Sequence, residues 1–302
     1  MSVDKLTILG TASHLPTRNR AHNGYVVDIG GVRLLFDPGE GTQRQLTITG
    51  VSVTSIDGVC LTHFHGDHCL GLPGVIQRRS VDNHQNNVDH ELPVVFPKEG
   101  FDYFNRLRYA TIYTDSAHVV PVPTTDGDAT NIGSCSVVAK LLNHSCTTLG
   151  YRVTAPDSFN FDVERLEHAG IAGQDRAELK ATGKLSTPNG EVQLEDFGSV
   201  RPGKVVAFIM DTAPCDNAVE LARDADLVIC ESTYAETESE LASQYLHMTA
   251  KQAAEVAQTA DAKKLVLTHY SARYDDEQAL ATEAKEVFSN SIAAKDLDVI
   301  TF

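Results

Sequence analysis

Four side chains able to ligate a metal, His63, His65, Asp67 and His68, fall within six residues, in the stretch Thr62-His63-Phe64-His65-Gly66-Asp67-His68. The spacing constrains the backbone. Residues two apart point the same way in extended chain, so His63 and His65 suit a strand end, and Asp67 and His68 then follow on a turn. The preceding Val59-Cys60-Leu61 is a short apolar run, and residues 70–76 read as the entry to a packed helix. Imidazoles and a carboxylate set on such a strand-to-helix corner suit zinc, and their density suits two ions. A histidine-rich surface loop would not need the apolar flanks.

Other apolar runs end the same way. Strands are expected over 6–9, 25–29, 32–36, 56–61, 93–96, 137–142, 149–153, 204–210, 227–230 and 264–268, with Gly30-Gly31 making a tight hairpin between the second and third. Five of these runs deliver a polar residue just beyond their ends: His63 and His65, His144, Asp211, Glu231 and His269. Each alone has a dull explanation, a capped strand or a satisfied histidine, but together they point to one shared site. Asp37, at another strand end, reads equally as a turn residue or as a carboxylate that orients a ligand histidine. Residues 80–92 read as a solvated connection, with His84 and His90 at the surface. Helices are expected near 100–108, 217–225, 276–288 and 250–260, the last capped by Thr249. Between 154 and 203 the composition shifts. Helical stretches at 163–168 and 175–182 are separated by Gly170, Gly173 and Gly183, which reads as an insertion into a single domain spanning 1–302.

In a chain of 302 residues, 42% hydrophobic and 22% charged, an ordinary globular fold is expected. Nothing near the N-terminus reads as a signal peptide, and no apolar run is long enough to cross a bilayer. Six scattered cysteines without a C-x-x-C pair suit reduced thiols and a cytoplasmic home, with Cys69 a neighbour of the motif rather than a ligand. The net charge of −16 argues against a polyanionic partner, although two dications would reverse the sign locally.

The candidate ligands divide into two sets. His63, His65 and His144 would hold one ion and Asp67, His68 and His269 the other, with Asp211 bridging through its two oxygens. Two such ions can activate a water and clamp the oxygens of a phosphate. A leaving alkoxide then needs a proton, which His247, outside the ligand set, would supply, with Glu231 holding that imidazole in its donating form. A surface histidine ahead of a helix is the plainer reading of His247. Asp67, His247 and Glu231 are the candidate catalytic residues.

The order H-x-H-x-D-H, then His144, Asp211 and His269, resembles the metallo-β-lactamase superfamily, and within it the ribonuclease Z family, which matures transfer RNA 3′ ends. The resemblance runs from Thr7 to about Tyr274. Leu9-Gly10-Thr11 with the loop at 16–23, Phe36-Asp37-Pro38-Gly39-Glu40-Gly41-Thr42-Gln43, Gly71-Leu72-Pro73-Gly74, Gly150-Tyr151-Arg152 and Thr249-Ala250-Lys251-Gln252-Ala253-Ala254 all match its motifs. It implies an α/β fold, a four-layer αββα sandwich of two mixed sheets carrying two zinc ions at one edge, with Mn2+ the alternative metal. It also implies a homodimer, no membrane, and a flexible arm over 154–203 that grips the elbow of precursor tRNA. Cleavage would fall 3′ of the discriminator nucleotide, leaving a 3′-hydroxyl on the tRNA. His247 and Glu231 correspond to the family's paired acid residues. Substrate contacts would come from Arg18 and Arg20 in the N-terminal loop and from Arg165, Arg176, Lys180 and Lys184 in the arm.

The chain departs from the family pattern in places. The arm's tip, Gly170-Ile171-Ala172-Gly173-Gln174-Asp175, has no proline, and the arm carries five Lys/Arg against nine Asp/Glu. Glu231-Ser232-Thr233 stands where many relatives have His-Glu-Ala-Thr, and the spacing of the N-terminal loop differs from the commoner form. Phosphate neutralisation drives RNA affinity, so the acidic arm favours a competing reading: a hydrolase of the same fold acting on small phosphodiesters or thioesters. A binding protein without catalysis would not need all seven ligand positions filled.

Overall fold

The computed structural model describes residues 3–86, 90–188 and 190–302. Eighteen strands and ten α-helices are described, in two units: residues 1–155 with 205–302, and residues 156–204. The strands are β1 Lys5–Gly10, β2 Gly24–Ile29, β3 Val32–Phe36, β4 Gly58–Cys60, β5 Leu92–Pro97, β6 Val119–Thr124, β7 Ala129–Ile132, β8 Cys135–Leu141, β9 Leu149–Thr154, β10 Ser158–Phe161, β11 Lys184–Thr187, β12 Gly190–Gln193, β13 Gly198–Arg201, β14 Val205–Ile209, β15 Leu227–Glu231, β16 Leu265–Thr268, β17 Ser291–Ala293 and β18 Val299–Thr301. The helices are α1 Thr42–Thr49, α2 Gly66–Cys69, α3 Leu72–Asn86, α4 Phe101–Arg108, α5 Val163–His168, α6 Gly173–Thr182, α7 Asp216–Ala222, α8 Ser239–Tyr245, α9 Ala250–Thr259 and α10 Gln278–Val287.

The larger unit holds two seven-stranded mixed sheets, in the orders β18-β1-β2-β3-β4-β5-β6 and β17-β16-β15-β14-β9-β8-β7. The two-residue period of a strand sends alternate side chains to opposite faces, and here both faces are buried. Tyr25, Val27, Leu34 and Phe36 of the first sheet meet Tyr151, Val206, Phe208 and Ile229 of the second. The Phe208 ring sits 4.5 Å from Phe36 and 5.2 Å from Tyr25, centroid to centroid. The intervening residues Val26, Leu35 and Val59 pack under α1, α3 and α4. Ala207, Ile209, Val228 and Leu267 pack under α7, α9 and α10. Helix, sheet, sheet and helix make the four layers expected from the resemblance.

Some elements differ from expectation. The stretch from residue 80 is not a solvated connection, because α3 continues through Asn86; residues 87–89 lie outside the described residues. Its buried face is partly polar, so no apolar period betrays it. Arg79 is fully buried and donates to the carbonyls of Val53, Ile56, His90 and Ala117, while Asn83 donates to that of Ser116. Strand β6 carries Pro121 and Pro123, which a strand tolerates because it is the sheet's edge. Helix α8, for which no expectation was stated, occupies part of the acidic stretch before His247.

The unit at 156–204 has strands as well as the two expected helices. It pairs β10 with β13 and β11 with β12, and Leu166, Ile171, Leu179, Leu185 and Phe197 form a small core of their own. Short alternating runs of four residues hid those strands. Among the described residues, no helix is long and apolar enough to cross a membrane.

Candidate metal centre

Strand ends build the site. β4 leads through Leu61 and Thr62 to His63, β8 to His144, β14 to Asp211, β15 ends on Glu231, and β16 leads to His269. Open α/β sheets bind ligands at the carboxyl ends of their parallel strands, and β4, β14, β15 and β16 belong to such runs. Asp37, Asp211 and His269 leave their strands with φ of 41°, 48° and 62°, the left-handed region that non-glycine residues avoid. Strain of that kind persists where the surroundings over-determine it, and it clusters at functional sites. Gly39 serves close packing: a Cβ there would fall onto the carbonyl of Asp67.

The seven expected ligands converge. His63, His65, His144 and Asp211 each offer an atom within 4.8 Å of the others, and so do Asp67, His68 and His269. Asp211 lies between the two sets. Its Oδ2 faces His63 Nε2 at 3.6 Å and His144 Nε2 at 3.7 Å. Its Oδ1 faces His269 Nε2 at 3.0 Å and His68 Nε2 at 3.3 Å. Asp67 Oδ2 adds contacts of 3.4 Å to His68 and 3.6 Å to His269.

These residues fit a cation. His144 Nε2, His269 Nε2 and Asp211 Oδ1 are buried and make no hydrogen bond; the 3.0 Å approach of the last two lacks the angle for one. Buried polar atoms without partners are rare in native proteins, and three of them, two facing opposite oxygens of Asp211, mark the place of a cation. The ion-pair partners of Asp67 and Asp211 are all imidazoles. Burial holds His63, His65 and His144 below the usual imidazole pKa, in the neutral form that ligates. Burial acts the same way on His68, but Asp211, Asp67 and Asp37 overcome it and raise that group well above its usual value. Its proton balances carboxylates that a dication would otherwise neutralise. The chain therefore carries a divalent-metal site.

Around the ligands lies a shell of bonds. Asp37 is fully buried and acts as an orienting carboxylate: Oδ2 accepts from His68 Nδ1 at 2.8 Å and from Thr62 Oγ1 at 2.7 Å, and Oδ1 accepts from the Thr62 amide at 2.7 Å. The Leu246 carbonyl accepts from His144 Nδ1 at 3.1 Å, and Leu246 itself has φ of 57°. Tyr25 donates to Asn23, whose amide faces His68 Nε2 at 3.3 Å. The sequence reading missed Thr62, Leu246, Asn23 and Tyr25 as parts of the site. Only Thr62, adjacent to His63, carried a signal.

His247 stands beside the ligands, its Nδ1 donating to Glu231 Oε1 at 2.9 Å. Glu231 is wholly buried and also accepts from the Thr212 amide at 2.6 Å. Burial lowers the His247 pKa, yet the Glu231 and Asp211 carboxylates outweigh it and push the group up to about 9. Its ring offers an atom close to those of Asp211 and His269, while its Nδ1 is held by Glu231. A capping box at Thr249 and Gln252 starts α9 and fixes the backbone two residues on.

The centre opens into a cleft of about 350 Å³, walled by Ser13, His14 and Leu15 on the N-terminal loop and by Tyr234, Tyr245 and Ser271. Arg18 is exposed on that loop. Arg20 is only 8% exposed, bonded to Glu277 at 3.3 Å and laid over the Tyr270 ring. In the smaller unit Arg165, Arg176, Lys180 and Lys184 are exposed; Arg165 pairs with Asp162, Lys184 with Glu191, and Arg176 covers the Phe161 ring.

Residues 17–158 match the family model described as the metallo-beta-lactamase superfamily, and residues 189–270 one described as a beta-lactamase superfamily domain. The chain is 45% identical to a ribonuclease Z of Salinispora arenicola over 97% of this chain and 94% of that one. It is 46% identical to a ribonuclease Z of Thermobifida fusca over 97% and 92%. The crystal structure of the human tRNase Z short form has the same fold, with a TM-score of 0.69 at 24% identity over 98% of each chain. With identity at that level along nearly the whole length, and with the ligands of the motif gathered at the ends of its strands, the chain belongs to the ribonuclease Z family of the metallo-β-lactamase superfamily.

Proposed function

We propose that this chain is a metal-dependent endoribonuclease that cuts tRNA precursors 3′ of the discriminator nucleotide, leaving a 3′-hydroxyl on the tRNA and removing the 3′ trailer. Family membership supports the reaction. The observation that carries the site is Asp211, whose two oxygens face two separate ligand sets while buried ligand atoms around it lack partners.

Two Zn2+ ions suit these imidazoles and carboxylates, with Mn2+ the alternative. His63, His65 and His144 would hold one, Asp67, His68 and His269 the other, and Asp211 both. Bound there, two dications supply Lewis acidity toward a water and a phosphate. His247 and Glu231 act with Asp67 as the catalytic set. Nε2 of His247 gives its proton to the departing ribose 3′-oxygen, and Glu231 holds Nδ1 so that Nε2 points into the cleft.

Residues 156–204 serve as the arm that grips tRNA, inserted in a single catalytic domain. Its Arg165, Arg176, Lys180 and Lys184 contact phosphates, since exposed ion pairs such as Arg165–Asp162 are weak enough to exchange partners. Arg18 meets the 3′ end at the cleft, and Arg20 supports that loop from beneath. The working form is a cytoplasmic homodimer, consistent with six free cysteines. The excess of nine acidic over five basic residues in 154–203 favours the second reading, hydrolysis of a small phosphodiester or thioester. A 3′-extended pre-tRNA transcript decides between them. One cut after the discriminator nucleotide, absent from Asp211→Ala, supports the endonuclease; no cut, with bis-p-nitrophenyl phosphate still hydrolysed, supports the second reading.

A further inference from the structure

Two threonines outside the ligand sets stand in the same relation to the centre, one beside each set. Thr62 Oγ1 lies 2.7 Å from Asp37 Oδ2 and 3.0 Å from His63 Nδ1. Thr233 Oγ1 lies 2.5 Å from Glu231 Oε2 and 2.8 Å from His269 Nδ1. All six side chains are buried, none more than 3% exposed.

A hydroxyl has one proton to give and lone pairs with which to accept, whereas a carboxylate only accepts. The threonine proton therefore goes to the carboxylate, and a lone pair is left facing the imidazole. Nδ1 must then carry hydrogen, and in the neutral ring that leaves Nε2 bare. Turning the hydroxyl round would set two oxygens 2.5–2.7 Å apart with no hydrogen between them. Nε2 is the nitrogen that faces Asp211 in both histidines. Each carboxylate is in turn held by other donors, Asp37 by the Thr62 amide and His68, Glu231 by the Thr212 amide and His247.

We infer that Thr62 and Thr233 are positioning residues: each passes the orientation of a buried carboxylate through its hydroxyl to one imidazole, so that His63 and His269 present Nε2 to a cation. The inference rests on the metal reading of this centre. It links its parts as well, because Glu231 holds His247 directly and His269 through Thr233. His68 and His144 are instead oriented by direct bonds, to Asp37 and to the Leu246 carbonyl.

Thr→Val at either position keeps the branched shape and removes the hydroxyl, and Thr→Ser does the reverse. Zinc affinity of the full-length chain, stripped by a chelator, is read by competition with a chromophoric chelator. Histidine tautomers are read by long-range 1H–15N NMR on the same stripped chain. Each Val variant should bind zinc about 10–100-fold more weakly, the usual cost of losing an outer-shell partner. Its spectrum should lose the Nδ1–H form of His63 or His269, and the Ser variants should restore both readouts. Val variants that bind as tightly as the unsubstituted chain, or Ser variants as weak as Val, overturn the inference. An unsubstituted chain that takes up no zinc overturns the metal reading itself, and the inference with it.

Discussion

His247→Ala separates a proton donor from a ligand. The ring is 14% exposed at the cleft and bonded to Glu231 at 2.9 Å, so its removal opens space that water can enter. Glu231 loses one of its donors but keeps the Thr212 amide and the Thr233 hydroxyl. The stability cost is then about 1–3 kcal/mol, that of one under-satisfied buried group. General-acid assistance is worth about 10²–10⁴ in rate, or about 2.7–5.4 kcal/mol at about 1.36 kcal/mol per tenfold. Single-turnover cleavage of a 3′-extended pre-tRNA should therefore fall by about 10²–10⁴, while elemental analysis of the same preparation finds the metal of the unsubstituted chain. Bis-p-nitrophenyl phosphate supplies the control, because nitrophenolate departs without a proton. The variant should lose far less on that substrate than on RNA. Equal losses on both would refute the acid role, and loss of metal would make His247 a ligand.

Three other perturbations test the remaining parts. Asp211→Ala removes the carboxylate that faces both ligand sets, so equilibrium dialysis should find metal lost from both subsites and no cleavage; a variant retaining two ions would contradict the bridging assignment. Replacing 156–204 by a short turn is feasible because Thr154 and Val205 are paired across β9 and β14. The product should still hydrolyse bis-p-nitrophenyl phosphate yet cleave pre-tRNA with a KM raised at least ~10-fold, because the arm's cations no longer neutralise RNA phosphates; unaltered KM would remove the arm from substrate binding. Arg20→Ala breaks the buried contact with Glu277, which keeps Lys295 at 3.1 Å, and should cost about 1–3 kcal/mol in denaturant unfolding. No loss of stability would mean that Arg20 does not brace the loop.

What could be read in the sequence divides by how rare the chemistry is. Metal ligation needs imidazoles and carboxylates, and five strand ends carrying them cannot be mistaken for capping, which is why Asp211 and the six candidate side chains that gather with it could be named in advance. The sandwich was readable for a related reason: runs such as Val205–Ile209 are buried on both faces and apolar throughout. Reading failed where common residues do the work through distant partners. The buried face of α3 includes Arg79, Ser80 and Asn83, each donating to a carbonyl, so its period is invisible to a count of hydrophobic residues. Arg20 sits in a polar loop and reads as an open cation, but Glu277, 257 residues further on, takes its guanidinium out of solvent. A threonine hydroxyl or the Leu246 carbonyl can choose a histidine's tautomer without any unusual residue to announce it. Ligands therefore show in sequence by their identity, while the groups that aim them show only by their distances, and substitutions such as Thr62→Val probe the part of the centre that residue types leave unmarked.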